Sequence, residues 1–444
     1  MLCKDGFLND ALSAVSGKGM PGLRVIPETI PSECTVMEQI EAGVSAVFDE
    51  IIAALTRPLT LEESRTSRKA EKTARIIFKG NLRDFNRFSY QRGWGDGLPL
   101  IPPTEEALAE MLTGTDLPAD HLVARCPPRL GKATVEKIAV NAVMAGALPA
   151  YLPVLITAIQ ALMESRYFIG QAVSGGSWAP SFLINGKISK DLHINSGLGV
   201  MSPGDIANAT IGRAMGLMVK NIAGIRKGVE DMGNYGNPGR YSLVIAENEE
   251  ESPWEPLHVQ QGLNKEDSAV SVSHPSSIMV TPGGNAGSTD PDTILRSLCY
   301  FIPPPEGAIC FLVNPTIARI LADNGWNKQD IAEFIAEFAR APLYQLPFYW
   351  ESGVSIPRRA GLFPSKEMPG RKGMLIHVRN NPMESVPKIS SPDMIRVFVC
   401  GGSYTTIAAL SGGPRWVTKK ITLPANWDKL VAKYKGIVPS YLKY

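Results

Sequence analysis

The chain lacks any Cys-x-x-Cys pair. Its six cysteines (Cys3, Cys34, Cys126, Cys299, Cys310, Cys400) are scattered along 444 residues, and its five histidines are equally dispersed. That distribution argues against a disulfide framework and against a zinc ribbon or finger, and leaves reduced thiols in a cytoplasmic protein as the expectation. Charge of one sign is also lacking. With 45 basic against 43 acidic residues and no basic stripe interleaved with aromatics, nucleic acid is not an expected partner. The one basic cluster, 65–75, reads as a solvated helix face. No apolar run is long enough for a bilayer: the longest, 138–163, is broken by Asn141, Gly146, Pro149 and Pro153. It reads as two core helices rather than one span of about 20 residues, so no membrane partner is expected. The N-terminus has neither the basic residues nor the cleavage site of a signal peptide.

What the chain does have is apolar material, 44% of its residues, enough for two or three packed cores. The expected fold class is α/β, multi-subdomain, with mixed sheets and polar loops at strand ends. Residues 1–58 read as a partial α/β segment. Asp5 to Leu12 looks like a strand end turning into a helix, Pro21 to Ile26 like a turn and a short strand. Thr35 with Glu38 forms a capping box ahead of Ile40, Val44, Val47 and Ile51 at helical spacing. A sheet that starts this way lacks its first strand, so an edge open to another chain is expected. Residues 59–90 read as a helical connector, opened by a second capping box of Thr60 and Glu63. Residues 91–444 form the main α/β body, with a further division near 265–300 if that body splits.

The body opens on Arg92-Gly93-Trp94-Gly95-Asp96-Gly97-Leu98-Pro99, where three glycines and a proline around an aromatic dictate a rigid irregular loop. Helices are expected over 134–146 and 152–163. From there the pattern changes to short apolar runs, 181–184, 242–246, 277–280, 308–313 and 396–400, each running into Gly, Asn or acidic residues. Strands whose carboxyl ends carry polar loops form the edge at which open α/β sheets bind ligands. After 308–313 a helix is well signalled, with Asn314 as cap, Pro315 in first position and Gly325 at the end.

The densest polar stretch runs from Glu247 through Asn248, Glu249, Glu250, Glu251 and Trp254 to His258. Carboxylates directly after a strand, held by a Pro-Trp-x-Pro turn with a histidine at its end, suit a general base or hard-metal ligands. The plainer reading makes Glu249 to Glu251 an exposed acidic turn and Trp254 a packing anchor. Glu247 and His258 are the catalytic candidates, Asn248 and Trp254 substrate-binding ones, and a divalent metal is one option for a cofactor. Asn195 in a glycine loop, with Asn208 and Arg213 on the helix that follows, suits an anion grip on a carboxylate or phosphate. The loop matches neither a Walker sequence nor the dinucleotide fingerprint, so no nucleotide is implied. Glu136, beside Lys137 in the first turn of a helix, is either a base with its partner or a glutamate complementing the helix dipole. Gly401-Gly402-Ser403-Tyr404-Thr405-Thr406 suits an anion-binding nest.

Taken together, residues 92–99 with Pro102-Pro103-Thr104, 133–146 (ATVEKIAVNAVMAG), 208–213 (NATIGR), 238–242 and 246–258 (AENEEESPWEPLH) resemble the bacterial UGSC-motif (seleno)protein family, in the same order and over most of the chain. The N-terminal segment is also faintly similar to glycine-reductase-type selenoprotein subunits. The family is named for a selenocysteine- or cysteine-Gly-Ser-Cys motif, and no such motif occurs here. Ala147 stands where the resemblance implies a cysteine, and Ala150 where it implies an acidic residue. A dithiol of that spacing suits thiolate chemistry, in which one sulfur attacks and the other resolves the mixed intermediate. The resemblance therefore implies the large subunit of a small-molecule, redox-type enzyme whose dithiol lies on a companion polypeptide that completes the N-terminal unit. The alternatives are a thiol-independent lyase or hydrolase acting on a carboxylate-bearing substrate, and a non-catalytic binding subunit.

Overall fold

A computed structural model describes residues 1–20, 22–31, 36–61, 63–64, 75–165, 168, 175–282, 288–302, 308–345, 380–389, 391–403, 406–413 and 416–438. The fold is α/β with mixed sheets. Two compact units make it up: Met1–Ser177 with Arg213–Tyr235, and Trp178–Gly212 with Gly236–Tyr444. The segments 1–58 and 59–90 both fall inside the first unit, and the region 265–300 inside the second.

The first unit begins with a small βαβ element. Strand β1 (Leu2–Lys4) pairs in parallel with β2 (Ile26–Glu28), and the Leu8–Gly17 helix makes the crossover that parallel pairing requires. A 20-residue helix, Met37–Thr56, packs beside β2 and buries none of its residues. The capping residue expected for it, Thr35, lies outside the described residues. Its carboxyl end is closed from a distance: the Arg24 guanidinium donates to the carbonyls of Ala54, Arg57 and Pro58 and forms a paired contact with Glu63. A cation there complements the negative end of the helix dipole. Thr60 and Glu63 exchange both bonds of a capping box, at 2.8 and 3.2 Å. The helix expected beyond them lies largely outside the described residues, and 75–79 carry no helix.

The rest of this unit is helical around one hairpin, β3 (Leu122–Cys126) with β4 (Gly131–Thr134). The Leu82–Gln91, Glu105–Leu112 and Val135–Ala145 helices are each N-capped by a side chain, from Asn81, Thr104 and Thr134. Val135, Ile138, Ala139 and Ala142 are fully buried, as the helical spacing predicts, and Leu152–Glu164 packs against them. Residues 213–221 of the Ile206–Asn221 helix hold the glycine loop at 92–99. Arg213 pairs with both oxygens of Asp96 at 2.8 and 3.0 Å and donates to the carbonyls of Leu98 and Pro99, Lys220 reaches the carbonyl of Gly95, and Asn221 that of Trp94.

The second unit is built on two four-stranded sheets. Its strands are β5 (Ser181–Asn185), β6 (Val244–Ala246), β7 (Ala269–Ser273), β8 (Ser277–Pro282), β9 (Ala308–Val313), β10 (Arg340–Pro342), β11 (Ser385–Pro387), β12 (Ile395–Val399), β13 (Thr406–Gly413) and β14 (Val417–Lys420). One sheet has the order β14-β7-β5-β6 and the other β12-β9-β13-β8, while β10 and β11 form a separate ribbon. Both sheets are mixed: β5–β6 and β9–β12 are parallel, the remaining pairs antiparallel. Leu183 and Ile245 of the first sheet share a core with Cys310, Leu312, Phe398 and Leu410 of the second. The opposite face of the second sheet is covered by the Pro291–Phe301, Pro315–Asp323 and Lys328–Phe338 helices. Asn314 caps the middle helix as its sequence predicts, accepting from the Ile317 N–H.

Candidate functional site

Register brings the polar loops of the second unit together. Ile184 of β5 lies opposite Ala246 of β6, so the next residues, Asn185-Gly186 and Glu247-Asn248-Glu249, leave the sheet side by side at the carboxyl edge. The Asn248 N–H donates to the Val399 carbonyl at the end of β12, and Gly401 N–H to Ser196, which adds the second sheet and the 195–198 loop to the same edge. A cleft of about 800 Å³ opens there. Its walls carry Asp205, Asn248, Glu249, Glu250 and Glu251 together with Lys187, Lys190, His193 and Lys435, so both signs of charge are present.

Glu247 sits at the floor of this edge and is 2% exposed. Its Oε1 accepts from the Lys328 ammonium at 3.0 Å, and its Oε2 from Asn185 at 2.6 Å and the Leu257 N–H at 2.8 Å. Lys328 is also buried and donates as well to the Glu255 carbonyl. Each charge is thus neutralised and hydrogen-bonded, the condition under which an ion pair survives in an interior. Such a carboxylate joins β5, β6 and the start of the Lys328–Phe338 helix.

Glu249 occupies the wall. Its Oε1 accepts from the Gly186 N–H at 2.6 Å and from Asn185 at 3.1 Å, and its side chain is 23% exposed. Glycine is required at 186: φ is +88°, and an added Cβ would lie 2.4 Å from the Asp267 carbonyl oxygen. His258, in the short Leu257–Gln260 helix, is fully buried behind Glu249, with Nδ1 at 4.0 Å from Glu249 Oε1 and Nε2 at 3.4 Å from the Lys265 carbonyl.

The remaining candidates divide by role and by unit. Asn195 lines the cleft, tied to Asp205 at 2.9 Å and to Leu198 O, while its own N–H is received by Asn208. Asn208 is buried and spends its amide on the carbonyls of Asn195 and Val244, so it shapes the 195–198 loop from behind. Asn248 lines the cleft and bonds to Glu251. Trp254 packs against the helix-covered core and donates its Nε1–H to Trp326 O, which is a packing role. Arg213 and Glu136 belong to the first unit. The Arg213 guanidinium is committed to the 92–99 loop. Burial would raise the Asp96 carboxyl, but the Arg213 contact outweighs it and holds Asp96 below the usual carboxylate range. Glu136 is at the surface, paired with Arg75 at 2.6 Å.

The four buried thiols give no support to a nucleophile. Burial pushes Cys126 and Cys310 up to about 12, Cys299 to about 11, and Cys400 well above its ordinary value. A thiol so shifted is a small hydrophobe at neutral pH. Cys34, and Tyr404 and Thr405 of the nest expected over 401–406, lie outside the described residues. Among the described residues no three His, Cys, Asp or Glu side chains are grouped as a metal site would require.

Sequence reasoning missed Lys328, although a signal exists. It stands in the first turn of a helix, after the Asn327 capping box, where the dipole disfavours a cation, and such a lysine needs a carboxylate partner. Asn185, which bridges Glu247 and Glu249, and the lysines of the cleft were also missed; nothing local distinguishes them. No protein-family model matches the chain, and no curated protein matches it.

Proposed function

We propose that the chain is the large subunit of a small-molecule enzyme whose substrate occupies the cleft at the carboxyl edge of β5 and β6, and that a companion polypeptide brings the redox dithiol. The observation that carries the first half is the cleft: polar side chains of both signs on loops fixed by a rigid sheet edge, the arrangement in which α/β proteins bind ligands. The second half rests on the resemblance to UGSC-motif proteins. It is supported by the four buried, inert thiols of the described body and by the Met37–Thr56 helix, whose Val44, Phe48, Ile52 and Leu55 form an exposed apolar stripe of the kind that docks a partner. Purification of the native protein followed by mass spectrometry tests the proposal, and the expected result is a second, shorter chain carrying Cys/Sec-Gly-Ser-Cys. A lone homo-oligomer with full activity overturns the partner.

The second reading is a thiol-independent lyase or hydrolase acting on a carboxylate-bearing substrate. Lys187, Lys190 and Lys435 in the cleft favour it, as cations able to meet such a substrate.

A further inference from the structure

The two outer edges of the β1–β2 sheet are chemically unlike. Leu2 lies opposite Ile26, Cys3 opposite Pro27 and Lys4 opposite Glu28, and the Ile26 N–H donates to the Met1 carbonyl at 2.8 Å. Successive residues of a strand direct their main-chain groups to alternate sides, so this register uses Met1 and Cys3 on β1 and Ile26 and Glu28 on β2. What points outward is Pro27 on one edge and Leu2 and Lys4 on the other. Pro27 has no N–H, and a proline in a sheet belongs on an edge that pairs with nothing. The β2 side is thereby blunted. On the β1 side Leu2 and Lys4 each present an N–H and a C=O, and no described residue bonds to them. Such a row is a template for an added strand.

The side chains agree with the backbone. Leu2 shares a sheet face with Ile26, which is buried, yet Leu2 itself is 49% exposed. Leu12 of the crossover helix, and Met20 and Leu23 of the connection into β2, are exposed as well. A three-residue strand is only about 10 Å long, too little for an interface, each side of which ordinarily covers about 800 Å². Two copies of this chain paired edge to edge would match three residues against three. The occupant of the edge is therefore a chain that also covers apolar surface nearby, and the stripe of the Met37–Thr56 helix, which contacts β2, supplies that surface in the same small element.

We propose that an extended segment of the companion polypeptide adds to the free edge of β1. It makes β1 an inner strand, pairs with the outward groups of Leu2 and Lys4, and sets an apolar side chain beside Leu2 on the face that Ile26 shares. This rests on the companion reading and specifies how that chain is held.

Lys4 allows a test confined to one N–H. It has φ −61° and ψ 146°, a conformation that proline adopts without strain, and the extended residue before it suits a following proline. Lys4→Pro deletes an N–H that has no partner within the chain. Lys4→Ala deletes the same side chain, with its bond to the Ile30 carbonyl, and keeps the N–H. Both variants should unfold at the same urea concentration, while Lys4→Pro holds the companion about tenfold more weakly than Lys4→Ala, because an acceptor on the added strand is left buried without a donor. Hydrogen exchange gives a second measurement on the unaltered protein: the Lys4 amide should exchange freely in the chain produced alone and be protected in the native complex. Equal retention by the two variants, or a Lys4 amide already protected in the chain alone, overturns the added strand. A companion that is present but leaves the Lys4 amide unprotected overturns this proposal and spares the companion reading. A native protein with no second chain removes both.

Discussion

Lys328 and Glu247 are buried together, and removing one partner strands the other. Lys328→Met is expected to destabilise the protein by about 3–5 kcal/mol, because the Glu247 carboxylate is then left uncompensated in the interior. The double variant Lys328→Met with Glu247→Met should recover only part of that loss: the stranded charge is gone, but the Leu257 N–H and the Asn185 amide lose the acceptor that Glu247 gave them. Urea denaturation of both variants checks this. A loss under about 1 kcal/mol for Lys328→Met would mean that water reaches the pair. At this scale the sequence was only half legible. Glu247 is conspicuous because it follows a strand, but what decides its role is a lysine 81 residues further on and an amide, Asn185, on a different strand. Trp254 was readable in its plainer sense, as an anchor, because a Pro-Trp-x-Pro turn fixes the ring locally. Arg213 was not: its partner, Asp96, lies 117 residues away.

Elements with their own local signals were legible. The Pro315–Asp323 helix has its cap, its first-turn proline and its terminal glycine in the sequence, and Asn314→Ala should cost it about 1 kcal/mol. The β3–β4 hairpin and strand β13 were not foreseen, because neither is a long alternating run. β13, with Gly412 and Gly413 at its end, takes its place from pairing with β8 and β9. A pH-dependent clamp in the first unit was equally hidden. Asp10 of the Leu8–Gly17 helix and Glu230 are both buried, and Arg129 and Arg226 pair with each of them. Burial, then the bond to Glu230, raises Asp10 from 3.8 to about 6. Burial also opposes the Glu230 charge, but Arg226 and Asp10 outweigh it and hold Glu230 below its ordinary range. The signs are opposite. The Asp10 contribution is fully present below its unfolded value of 3.8 and is lost as pH rises through about 6. The Glu230 contribution is present above 4.5 and lost only on strong acidification. Wild-type stability should therefore fall between about pH 4 and 7 through Asp10, and Asp10→Asn should flatten that fall. Glu230→Gln should instead destabilise at every pH above 5. Denaturation midpoints at pH 5 and 8 distinguish these outcomes.

Over the whole molecule, the Met37–Thr56 helix is the element least explained by the chain's own packing. Burial of an amphipathic face is what ordinarily stabilises a helix in a protein, more than propensity does. This helix, about 30 Å long, contacts β2 and is closed by Arg24 at its carboxyl end, yet none of its residues is buried. The sheet beside it consists of two three-residue strands, and a sheet that small is marginal without a further apolar layer. A companion polypeptide lying on the stripe of Val44, Phe48, Ile52 and Leu55 would supply that layer. The variant Phe48→Glu with Ile52→Glu separates this from a role in the chain's own core. The two side chains are 54% and 44% exposed, so the double variant should unfold within about 0.5 kcal/mol of wild type. Introduced carboxylates inside a dry apolar contact would cost several kcal/mol, enough to reduce capture of the companion chain a hundredfold or more, to about the limit of detection in a pull-down. Retention of the companion by the double variant would place its docking surface elsewhere. A large loss of stability instead would mean that the helix folds back onto the chain itself.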